Sequence, residues 1–215
     1  MTLIFSKKID KYIRIGASAI LVAIAGAVTL SAYLFHPDRA ETGYQPVQPV
    51  PYSHKLHAGN LGMDCRYCHS TVEVSNFAAL PATETCMNCH TRVKPESEQL
   101  QPVRESYATG RAIPWVRIHK LPDYVYFSHK AHVSAGVSCV SCHGRVDQMA
   151  EVRQVKPLTM AWCLECHRNP AASIRPREQV TNLAWQPPGD AAQLGRELIA
   201  KYKIHPPTNC SGCHR

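Results

Sequence analysis

The chain has 215 residues, with 10 Cys and 12 His against 4 Phe and 3 Trp, and a formal net charge of +8. Sixteen Pro and an aromatic share of 7% argue against a long regular sheet or a large helical bundle. All ten cysteines fall in pairs of one spacing, which disfavours a disulfide scaffold and favours a chain folded around a bound group.

Residues 1–14 carry Lys7, Lys8, Lys11 and Arg14 against Asp10, and read as a cytoplasmic tail. From Ile15 to Phe35 no residue is charged, and Ala, Ile, Val and Leu dominate. At about 1.5 Å per residue this stretch crosses a hydrocarbon core of roughly 30 Å. The reading is one N-terminal transmembrane helix over 15–35, with everything after it exported. A cleaved signal peptide is the competing reading, but its apolar region usually runs about 7–15 residues. The Ala-x-Ala match, Ala25-Gly26-Ala27, also lies inside the apolar run rather than after it. Ala19, Ala23, Ala27 and Ser31 recur at every fourth position, a stripe that admits a second helix in lipid or that an alanine-rich span produces by accident. Residues 36–51, with Pro37, Pro46, Pro49 and Pro51, read as a semi-rigid linker.

Beyond the linker one motif, Cys-x-x-Cys-His, uses every cysteine. It occurs at Cys65-Cys68-His69, Cys86-Cys89-His90, Cys139-Cys142-His143, Cys163-Cys166-His167 and Cys210-Cys213-His214. This is the attachment signature of c-type haem. Two cysteines three apart on one turn present both sulfurs to the vinyl groups at a porphyrin edge, and the next histidine reaches the iron from the proximal side. A redox dithiol or a zinc site gives no reason for the trailing histidine in all five copies. The expectation is five covalently attached haem c groups. Each brings about two ionised propionates. Offset by ferric iron, five haems contribute roughly −5 oxidised or −10 reduced, so the chain's excess largely vanishes and nucleic acid loses its support as a partner.

Aromatic-Ser-His-Lys-x-His occurs twice, at Tyr52–His57 and Phe127–His132. Each copy is followed by a glycine three residues before a cysteine (Gly62, Gly136) and then by two haem motifs. The chain therefore reads as a two-haem module with its connection over 52–118, a second over 119–170, and a segment 171–215 with a fifth haem. Each iron needs a sixth ligand or an open position. His54, His57, His129 and His132 are the main distal candidates, because a His-x-x-His pair on one turn serves two neighbouring haems. His119 is a fifth candidate, His205 a weaker one, and Met160 and Met149 are candidates for one His/Met site, with packing as the competing role. His36 borders the membrane span and reads as an interfacial residue. One further helix is expected around 190–202, with Leu194, Leu198, Ile199 and Tyr202 on one face. No phosphate loop, dinucleotide fingerprint or nucleophile triad appears. The residues favour a wire over a catalyst. The fold class is mostly irregular and α-helical, its core supplied largely by haem.

The aromatic-Ser-His-x-x-His module with its haem motifs resembles cytochromes of the c3/c7 type. One anchor with five haems is similar to the pentahaem subunit of alternative complex III. Trp115–His132, WVRIHKLPDYVYFSHKAH, and Met160–His167, MAWCLECH, look especially like that family and its quinone-reductase relatives. The resemblance implies an electron-transfer subunit, not catalytic alone, in the inner membrane with its haems periplasmic. It also implies quinol-oxidising polytopic membrane subunits, an iron–sulfur subunit, and a monohaem cytochrome c or soluble periplasmic acceptor as partners. An autonomous membrane-anchored quinol dehydrogenase is the alternative reading.

Overall fold

The computed structural model describes residues 7–36, 39 and 41–214; residues 1–6 of the expected tail, Pro37, Asp38 and Ala40 of the expected linker, and Arg215 lie outside the described residues. The chain divides into an N-terminal unit ending at Ala40 and a second unit from Glu41 onward. The first unit contains α1 (Lys7–Leu34), long and apolar enough to cross a membrane, with no side chain of its apolar window buried. It starts before the uncharged run at Ile15. Lys and Arg are good helix formers, and Arg14 pairs with Asp10 one turn earlier at 3.0 Å, so the basic flank continues the helix.

Among the described residues the second unit has seven short α-helices: α2 (Cys65–Cys68), α3 (Thr83–His90), α4 (Gln101–Thr109), α5 (His129–Ser134), α6 (Cys139–His143), α7 (Met160–Arg168) and α8 (Ala191–Tyr202). Among the described residues there is no strand, and extended pairing is confined to the bridges Val125–His214 and Val137–Ile174. Local chemistry explains where these helices start. The side chains of Asp64, Ser128, Ser138, Thr159 and Asp190 accept backbone N–H bonds at the first turns of α2, α5, α6, α7 and α8. Each cap satisfies a donor that the helix leaves open. Three of the five Cys-x-x-Cys-His motifs are thus nucleated by a polar residue just before the motif helix.

Helix α4 was not singled out in the sequence. Pro102 suits its first turn and Gly110, at φ 70°, closes it. It packs against α3, where Ser106 Oγ lies 2.7 Å from Thr83 Oγ1, and Val103 is 2% exposed. The expected helix around 190–202 is α8, with Asp190 as its cap and Leu198 buried. It lies on the turn Pro170–Ser173 so closely that a Cβ on Gly195 would meet the Ala171 carbonyl.

Residues 41–51 do not form a free spacer. Gly43 N–H donates to Gln154 O at 2.7 Å and Gln154 N–H to Tyr44 O at 3.0 Å. The Gln48 amide donates to Val116 O at 2.9 Å and accepts from Val116 N at 3.0 Å, while Val50 is buried. Proline keeps this stretch extended, and an extended strap offers its flanking N–H and C=O groups to neighbouring chain. The apolar core is small: Val50, Val72, Val103, Met149, Ile174, Val180, Leu183 and Leu198 are its buried members among the described residues.

Candidate haem sites

The sequence repeat is also a geometric repeat. Tyr52 stacks on His57 with ring centroids 4.5 Å apart and meets His54 edge-on at 4.9 Å. Phe127 stacks on His132 at 4.5 Å and meets His129 edge-on at 4.8 Å. One aromatic ring therefore sets the orientation of two histidines in each copy. The serine between them works twice: its hydroxyl accepts from Leu56 N or Ala131 N, and its carbonyl accepts from His57 or His132 Nδ1 at 2.9 and 2.7 Å. The copies differ in winding, since Lys55–Asn60 forms a π-turn and His129–Ser134 an α-helix. Gly62 and Gly136, the matching glycines, both take positive φ, 66° and 87°, where the chain reverses into the next motif.

Each of these four histidines faces a histidine of a Cys-x-x-Cys-His motif. His54 and His69 have ring centroids 6.5 Å apart and planes within 2° of parallel; His129 and His143 lie at 6.5 Å and 8°. His57 faces His90 at 6.2 Å and 62°, and His132 faces His167 at 6.0 Å and 40°. A metal bound to two ring nitrogens at about 2 Å each separates the centroids by roughly 6 Å. The four pairs fit one iron apiece. Among the described residues no three or more His, Cys, Asp or Glu side chains cluster as a multidentate metal site, so the donors meet two by two.

Second-partner hydrogen bonds fix which nitrogen is available. The Nδ1 atoms of His69, His90, His129, His167 and His214 reach the carbonyls of Ala79, Val93, Asn76, Pro207 and Tyr124 at 2.9, 2.9, 3.0, 2.7 and 3.2 Å. A carbonyl can only accept, so Nδ1 carries the proton and Nε2 keeps its lone pair for a metal. Burial acts in the same direction: it pushes His54 down to about 4 and His143 to about 3, with nearby histidines adding, and it lowers His119, His129 and His132 as well. The neutral ring, which is the ligating form, is favoured. His54 Nδ1 is buried with no hydrogen-bond partner, so what holds this ring inside must act elsewhere on it. None of the ten cysteines is paired in a disulfide, which leaves both sulfurs of every motif for thioether attachment. The donor set fits c-type haem.

The fifth motif is placed differently. His214 bridges to Val125, and Tyr124 is its ring neighbour at 5.7 Å. His119, expected as a distal ligand, lies against His143 instead, with centroids 4.3 Å apart and planes at 82°. That gap is too short to hold an iron between the rings. His205 is exposed and Met160 is 65% exposed, whereas Met149 packs in the apolar core. His36 belongs to the N-terminal unit.

The motifs adjoin one another in an order that is not the sequence order. Cys68 lies near Cys86, with Tyr52 close by. The Cys65 and Cys139 side chains lie next to each other, and Val180–Thr181 adjoins both, its carbonyls lying 2.7 Å from Ser138 Oγ and 4.0 Å from Cys65 Sγ. Cys142 neighbours Cys163 and Cys166, and Cys163 neighbours Cys213. The row runs from the Cys86 motif through those of Cys65, Cys139 and Cys163 to that of Cys210. The connecting carbonyls of Asn76, Ala79, Val180 and Thr181 have no sequence signature, because any residue supplies a backbone oxygen.

Residues 34–110 match the model of the class III cytochrome c family, and residues 125–215 match that of cytochrome c7 and related cytochrome c. The chain is also 36% identical over 129 residues to the multihaem cytochrome c subunit of menaquinone reductase from Nitratidesulfovibrio vulgaris. That match takes in 60% of this chain and 59% of the relative's length. The haem motifs, the duplicated histidine pairs and both family matches lead to one conclusion: the chain carries multihaem cytochrome c domains of the c3/c7 type.

Proposed function

We propose that the chain is a pentahaem electron-transfer subunit of a membrane quinol:acceptor oxidoreductase of the alternative complex III kind. The observation that carries this is the set of four histidine pairs spaced at 6.0–6.5 Å. Haem iron supplies one-electron exchange between its ferric and ferrous states. At four sites two facing histidines would hold one haem between them and leave no place for a substrate, which suits a relay. The cysteines Cys65, Cys68, Cys86, Cys89, Cys139, Cys142, Cys163, Cys166, Cys210 and Cys213 hold five groups, and His69, His90, His143, His167 and His214 are the proximal ligands. His54, His57, His129 and His132 are the distal ligands of four, in the pairings given above. The fifth is the odd site, with His205 and Met160 as the candidates for its sixth position.

The relative's role in menaquinone reductase supports a quinone-linked complex. Helix α1 anchors the chain in the inner membrane, the basic flank stays cytoplasmic, and the haem domain is periplasmic. Partners are quinol-oxidising polytopic subunits, an iron–sulfur subunit, and a monohaem cytochrome c or soluble acceptor. Mass spectrometry of the native membrane assembly tests this reading by giving the haem count and the subunits together. Five haems on this chain, with polytopic and iron–sulfur subunits copurifying, is the expected result. Fewer haems refutes the site assignment, and quinol turnover by the isolated chain favours the autonomous dehydrogenase.

A further inference from the structure

Four of the five Cys-x-x-Cys-His histidines hand their Nδ1 proton to a backbone carbonyl. His143 differs, since its Nδ1 lies 3.3 Å from Nε2 of His119. His143 Nε2 is the iron ligand in the reading above, on which this argument rests, so Nδ1 must be the donor and His119 the acceptor. His119 therefore cannot give the same nitrogen to an iron. The two rings also stand edge to face, with centroids 4.3 Å apart and planes at 82°.

The surroundings hold His119 in this role. Its carbonyl accepts from Arg117 Nε at 3.1 Å, and the same segment is strapped by the paired bonds between Gln48 and Val116. The matching motif histidine of the first module, His69, has the Ala79 carbonyl in the equivalent place. The two modules thus share ligand geometry, 6.5 Å and near-parallel rings in each, but differ in what receives the proximal proton. An sp² ring nitrogen is a stronger acceptor than an amide oxygen. It draws the Nδ1 proton further, raises electron density on Nε2, and favours ferric over ferrous iron.

We infer that His119 is a positioning residue that orients His143 and lowers the potential of the haem attached at Cys139 and Cys142, setting it apart from its counterpart at Cys65 and Cys68. That haem is the middle of the row, so its potential sets the step between the two modules.

The test is a spectroelectrochemical titration, with EPR, of the full-length holoprotein carrying His119→Ala or His119→Gln. In the alanine variant one of the five midpoints rises and one low-spin signal changes shape, while the haem count stays at five. Glutamine restores an acceptor oxygen, so its midpoint falls between those of the wild type and the alanine variant. Unchanged midpoints in both variants overturn the inference and leave the haem assignment standing. A high-spin, five-coordinate signal in the alanine variant also overturns it, because His119 would then be an iron ligand. A wild-type protein without haem on Cys139 and Cys142, read from its peptide masses, overturns the inference together with the assignment beneath it.

Discussion

Asp64 shows how much a single side chain contributes beside a haem motif. Its carboxylate caps α2 by accepting from Arg66 N at 2.8 Å, binds the Arg66 guanidinium at 2.8 and 2.9 Å, and accepts from Thr181 Oγ1 at 3.0 Å. The Arg66 side chain is the main reason its pKa falls from 3.8 to about 2, with burial opposing. A carboxyl whose folded pKa is depressed stabilises the fold above its unfolded pKa, and the contribution disappears as pH falls through the folded value. Asp64→Asn should therefore be less stable than wild type at neutral pH, and the gap should close between about pH 4 and pH 2. Acid unfolding followed by circular dichroism reads this; a gap that persists below pH 2 would contradict it. At this scale the sequence was most legible for residues whose identity the chemistry demands. Thioether attachment needs cysteine and axial ligation needs histidine, so both stand out. His119 is harder to read, because an imidazole that accepts a hydrogen bond, as inferred above, looks in sequence like one that binds iron.

The two-haem modules owe their shape to small local devices. A polar cap starts each of α2, α6 and α7 at a haem motif, and a positive-φ glycine turns the chain before the first motif of each module. In sequence only the glycines, Gly62 and Gly136, stand out through the repeat; a polar residue before a motif carries no signal of its own that it will cap. Helix α4 does not stand out either, because its short apolar face is too brief to show a period, and its stability comes from packing on α3. The strap over 41–51 was misjudged for a related reason: proline density reports extension, and it does not report whether the extended chain is bound. The closest element contact is α8 on the turn Pro170–Ser173. Gly195→Ala would place a methyl against the Ala171 carbonyl. The gain in helix propensity, about 1 kcal/mol, is smaller than an overpacking cost of about 1–3 kcal/mol, so net destabilisation is expected. Thermal unfolding checks this, and a variant with a raised Tm would show that the turn yields freely.

For the whole haem-bearing unit, the protein side chains make only a thin core, and aromatic and apolar residues such as Phe77, Leu80 and Tyr126 stay more than half exposed to solvent in the polypeptide. The composition anticipated this, since few aromatics accompany many cysteines and histidines. What it did not carry was the row order, in which the first and third motifs join the modules and the second and fifth form the ends. Sequence neighbours share a ligand turn, but contact between modules depends on how the chain closes through Val180–Thr181. The histidine pairs also carry a spectroscopic signature. Near-parallel imidazole planes split the iron d orbitals strongly and give rhombic low-spin spectra, whereas strongly crossed planes bring two of those orbitals together and move the largest g-value upward. EPR of the fully oxidised holoprotein is therefore the most direct test of the site assignment. At least four bis-histidine low-spin centres are expected. Two are rhombic, from the pairs at 2° and 8°, and the pair at 62° lies furthest toward high g. High-spin signals at more than one haem, or spectra with no rhombic bis-histidine pair, would contradict that assignment.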